Sequence, residues 1–118
     1  MAELTKAASD VLAARQRQVE AEGWTAAHDD AHGNGELARA AGCYATHAGD
    51  CYDWGSPDYE QADPPFTDDE LGVVPWPWGI EWWKPTNPRR DLVKAAALIL
   101  AEIERLDRAA LKATPNGQ

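Results

Sequence analysis

The sequence predicts a mainly α protein, with about three helices in one small domain, a long irregular connection, and faces suited to a helical-bundle oligomer. Two observations carry this. Three segments repeat apolar residues at intervals of three and four, while the stretch between the second and third has no such period. The size and composition agree, since 118 residues with 44% apolar content suffice for a single buried core.

The first helix is expected over residues 3–22, where Leu4, Ala8, Val11, Leu12, Arg15 and Val19 fall on one stripe that ends near Gly23. The second is expected over 34–48. Asn34 is its candidate N-cap; Leu37, Ala40, Ala41, Tyr44, Ala45 and Ala48 then recur until Gly49 stops it. Its small alanines favour close helix packing. The third is expected over 88–112, with Pro88 at the first helical position, where a missing N–H costs nothing. Leu92, Ala96, Ile99, Ile103, Leu106 and Ala110 alternate spacings of four and three, a seam suited to antiparallel or coiled-coil packing. That seam and the alanine face of the second helix point to a homo-oligomer.

Two kinds of chain fill the connection. Residues 49–70 hold eight acidic side chains and no Lys or Arg, and read as a mobile acidic loop. Residues 71–87 are rich in Trp and Pro and read as an ordered segment packed on the helices. Pro115, Asn116 and Gly117 read as a frayed tail.

Charge narrows the partners. A net charge of −9 disfavours a nucleic-acid backbone and an anionic membrane surface, both of which need a basic face. The apolar run Leu92–Ile103 is too short to span a bilayer. The opening residues read as a helix start rather than a signal peptide, and Cys43 and Cys51 therefore read as reduced thiols of a cytoplasmic protein.

Against this acidic background, Trp76, Trp78, Trp82 and Trp83 lead directly into Arg89, Arg90 and Lys94. Adjacent side chains on an extended segment alternate faces, so one of Trp82 and Trp83 is expected to be exposed. An exposed indole beside guanidinium groups at a helix start suits an anion that carries a flat ring, as a nucleotide does. Arg15 and Arg17 would add to such a site from the first helix; the competing expectations are that Arg89, Arg90 and Lys94 neutralise the acidic loop or pair with neighbouring carboxylates, and that Arg15 and Arg17 form a solvated face. A second cluster, His28, Asp29, Asp30, His32 and Glu36, is the densest set of metal-ligand types, with His28, His32 and Glu36 spaced four apart. Gly33, Asn34 and Gly35 read as a break within that spacing, which favours a structural loop; if an ion binds, Mg held by carboxylates and water is the expected one.

Three strings carry a resemblance: Arg15-Gln-Arg-Gln through Glu22-Gly-Trp-Thr; His28-Asp-Asp-Ala-His-Gly-Asn-Gly-Glu-Leu-Ala; and Trp76-Pro-Trp through Arg89-Arg-Asp-Leu-Val-Lys-Ala and Ala101-Glu-Ile-Glu-Arg-Leu-Asp-Arg. Together they resemble a family of small proteins common in bacteriophage and prophage genomes. The resemblance implies a phage accessory protein working in the cytoplasm of a bacterial host, and it carries no activity with it. Gly35-Glu-Leu-Ala-Arg-Ala-Ala, with Glu102 and Asp107, is more weakly similar to the all-helical MazG-like nucleotide pyrophosphohydrolases. The chain departs from their paired Glu-x-x-Glu and Glu-x-x-Asp motifs.

The expected function is thus binding or sequestration of a nucleotide-like anionic small molecule by a phage accessory protein, with counteraction of host defence signalling as the expected purpose. The rivals are a metal-dependent nucleotide pyrophosphohydrolase using Glu36 and the histidine cluster, and an acidic DNA mimic or protein-binding inhibitor.

Overall fold

The computed structural model describes residues 3–50, 58–64 and 76–113. Among them are four α-helices, α1 (Lys6–Glu20), α2 (Ala26–Asp30), α3 (Glu36–Asp50) and α4 (Pro88–Ala113), with a single 3-10 turn at Ile80–Trp82 and no strand. The protein is mainly α, as the periodicity predicts.

Local chemistry sets the helix ends. Thr5 starts α1, its hydroxyl accepting from the Ala8 N–H at 3.1 Å. Gly23, at φ +73°, turns the chain away after α1 ends. Thr25 caps α2 in the same way as Thr5 caps α1, through the His28 N–H. This five-residue helix lies in the segment expected to be a loop. The second predicted helix begins two residues later than expected, because Gly35 adopts φ +85° and cannot continue a right-handed helix. Asn87 caps α4, its side-chain oxygen accepting from the Arg90 N–H at 2.8 Å, and Pro88 opens the helix.

The long α4 is the axis of the fold: α3 packs along one side of it, α1 along another, and α2 near its C-terminal half. Asp10 pairs with Arg89 and Arg15 with Glu104, so α1 runs parallel to α4. Tyr44 lies beside Lys94, and Gly33 lies near Arg105, so α3 runs antiparallel to it. Small residues make the contacts close. Ala14 of α1 meets Val93 and Ala97, while Leu37, Ala40, Ala41 and Tyr44 of α3 meet Ala95, Leu98 and Ala101.

The seam expected to be buried in α4 is turned outward. Leu92, Ile99, Ile103 and Leu106 are about half exposed. The side that packs inside instead presents alanines, which let two helices approach α4 more closely than leucines would. The stripe of α1 is rotated likewise: Leu12 and Val19 face out, whereas Ala14, Arg15 and Gln18 are buried.

Residues 58–64, within the expected acidic loop, pack on the core. Tyr59 is buried, its hydroxyl donates to the buried Asp91 carboxylate, and His47 contacts the Tyr59 carbonyl at 3.0 Å. The rest of that loop after Asp50, with Cys51 and the acidic Asp53, Asp68, Asp69 and Glu70, lies outside the described residues. So do positions 71–75 and the tail from residue 114. No helix of the described residues is long and apolar enough to cross a membrane.

Candidate anion-binding cleft

The tryptophan segment divides between core and cleft. Trp83 is buried, stacks on Tyr44 at 4.8 Å between centroids, and donates its indole N–H to the Ala62 carbonyl at 2.8 Å. Trp82, its neighbour, is 53% exposed, so one of the pair faces out as expected, although Trp82 closes a 3-10 turn rather than lying on an extended segment. The Tyr44 hydroxyl fixes this turn to α3 by accepting from the Lys84 backbone N–H at 3.1 Å. Burial pushes the Tyr44 phenol up to about 12, so it stays a neutral hydrogen-bonding post.

Between α1 and the Trp82–Lys84 turn, over the first turns of α4, lies a cleft of about 140 Å³. Arg17 and Gln18 of α1, Lys84 of the turn, and Arg90 and Lys94 of α4 line it, with Glu22 as its one carboxylate among the described residues. Trp24, Tyr44 and Trp82 supply its aromatic wall. Four cations thus meet one carboxylate in a protein whose overall charge is −9.

These cations are not equally free. Lys94 is anchored: its ammonium donates to the Lys84 carbonyl at 2.6 Å and the Thr86 hydroxyl at 2.8 Å, and it lies 3.3 Å from Asp91. Burial holds the Lys94 amine below the usual lysine range, against the pull of Asp91. Lys84 reaches over the Trp82 ring at 5.7 Å. Among the described residues, neither the Arg17 nor the Arg90 guanidinium has an ion-pair or hydrogen-bond partner.

A second cleft, of about 260 Å³, adjoins the first and shares Trp24 and Trp82 with it. His28, His32, Trp78 and Gly79 complete its wall. Its rings brace one another, with Trp24 stacked on His28 at 5.2 Å and His32 edge-on to Trp78 at 5.6 Å.

Of the binding residues expected from sequence, Arg17, Trp82, Arg90 and Lys94 come together in the first cleft, and Trp78 lines the second. Three go elsewhere. Trp83 is core. Arg89 projects to Asp10 at 3.0 Å, because adjacent residues on a helix point about 100° apart. Arg15 is buried between Asp29 and Glu104. The α4 start itself is closed to an anion. Asn87 occupies the Arg90 N–H, and the buried Asp91 supplies negative charge in the first turn while accepting from the Thr86 N–H.

The histidine–carboxylate set is spread over two roles. His28 and His32 line the aromatic cleft, whereas Asp29 takes Arg15 at 2.8 Å and Asp30 takes Arg108 at 2.9 Å. Glu36 accepts from the Asn34 N–H at 2.7 Å and lies 3.3 Å from His32. Among the described residues, no three His, Cys, Asp or Glu side chains are grouped to hold a metal ion. The residues that sequence reasoning missed are Trp24, Lys84 and Tyr44. Trp24 had a signal, since it directly follows the glycine that ends α1 and lies outside any helical stripe.

The chain matches no known protein family, curated protein or solved structure.

Proposed function

We propose that this protein captures a small nucleotide-like anion, with its charged end between Arg17 and Arg90 and its ring among Trp24, Trp78 and Trp82. The observation that carries this reading is the pair of unpartnered guanidinium groups in one cleft beside an exposed indole. A charge-assisted hydrogen bond contributes about 1.5–3 kcal/mol, and a planar guanidinium offers two parallel donors to a phosphate. Base stacking on an indole adds about 1–3 kcal/mol.

Together with the phage-like strings of the sequence, this supports an accessory protein that acts inside a bacterial host by sequestering a nucleotide or nucleotide-derived signal. Calorimetry against mono-, di- and cyclic nucleotides tests it. Binding is expected for at least one class. Arg90→Ala should abolish the heat and the ligand-induced rise in melting temperature, yet leave the apo protein as stable as before. Trp82→Ala should weaken nucleotides while leaving inorganic pyrophosphate nearly unaffected. Heat from none of these ligands would overturn the reading.

A further inference from the structure

Around α4 the apolar side chains form three stripes. Val93 and Ala97 meet α1, and Ala95, Leu98 and Ala101 meet α3. The third stripe, Leu92, Ala96, Ile99, Ile103 and Leu106, belongs to neither contact, and its four large members are 47–51% exposed. At about 100° per residue the three stripes lie roughly 120° apart, so α4 has the surface of a bundle helix with one side unfilled. Along that side the spacing is four, three, four, three, the repeat of a helix that packs against another helix over its length. Leu12 and Val19 of α1, 49% and 38% exposed, border a separate groove that reaches Glu104.

We infer that this face is a homodimer interface in which α4 packs antiparallel against α4 of a second copy. Charge selects both the occupant and the direction. The stripe begins beside Arg89, whose side chain is 43% exposed, and ends beside the exposed Asp107. Setting Leu92 against the partner's Ile103, and Ala96 against the partner's Ile99, brings each Arg89 beside the partner's Asp107. A parallel pair would set arginine on arginine and aspartate on aspartate. The antiparallel contact closes on itself by a two-fold axis, so it ends at a dimer. The stripe from Leu92 to Leu106 is about 21 Å long, and the first helices of the two copies lie along the same edge of it.

Sedimentation equilibrium of the full chain at about 100 µM and below is the test. The wild type is expected to sediment as a dimer. Ile103→Glu, at a half-exposed site, should give a monomer with unchanged far-ultraviolet circular dichroism. Arg89→Asp should weaken the dimer about tenfold, and adding Asp107→Arg should restore it. Because Arg89→Asp also breaks the contact with Asp10, rescue by the second change is the deciding result. A wild type monomeric at every concentration would overturn the proposal. So would a dimer indifferent to Ile103→Glu, and failed rescue would overturn the antiparallel register.

Discussion

Arg15 and Asp29 meet at 2.8 Å inside the protein, with the carboxylate wholly buried and the guanidinium nearly so. The same guanidinium reaches Glu104 at 2.9 Å, so one side chain joins α1, α2 and α4. A charge on the inner face of a helix is tolerated here only because each of its directions ends in an acceptor.

Removing one partner should therefore cost far more than removing both. Arg15→Met is expected to destabilise the protein by about 3–5 kcal/mol, because it leaves Asp29 charged and buried. Adding Asp29→Leu should recover most of that loss. Urea unfolding of the two single variants and the double variant measures the coupling, and simple additivity would show that the pair is not the link between these helices.

Leu98 and Ile99 are neighbours with opposite fates, the first 2% exposed and the second 47%. Leu98→Ala should cost about 2–4 kcal/mol through lost burial and the cavity left behind. Ile99→Ala should cost under about 1 kcal/mol when measured at a dilution where the chain is monomeric. Equal losses would mean that the seam is buried within one chain.

Acid should unfold the protein partly through Glu36 and Asp30. Burial raises the Glu36 carboxyl, but the backbone N–H groups of Glu36 and Asn34, together with His32, outweigh it and hold the group below its ordinary 4.5. The Arg108 guanidinium holds Asp30 below 3.8. A carboxyl whose folded pKa lies below its unfolded value contributes stability that is fully present above the unfolded value. That stability falls as pH drops through the folded value. The melting temperature should therefore be steady above about pH 5 and decline below it, with a shallower decline in Glu36→Gln and Asp30→Asn. Curves parallel to the wild type would show that these contacts do not persist in solution.

The sequence by itself determined the helices that have period and punctuation. Pro88 after Asn87 placed the start of α4, and the run of alanines and Leu37 placed α3, because caps and periodicity act within a few residues of chain. It also showed indoles and guanidinium groups gathered in one stretch from Trp76 to Lys94, but not which of them share a cleft. What only the tertiary structure decided was which side of each helix faces inward. Apolar size favoured Ile99 and Leu92, but packing two helices on α4 required the small side chains of Ala95, Ala97 and Ala101, and the larger ones were left outside. The same rotation sent Arg90 into the cleft and Arg89 out to Asp10, and it drew Arg15 into the interior toward Asp29, a carboxylate expected in a structural loop with metal binding as the alternative. Direction about a helix axis depends on what packs against it, and for α4 those partners lie some 50 to 90 residues away in the chain.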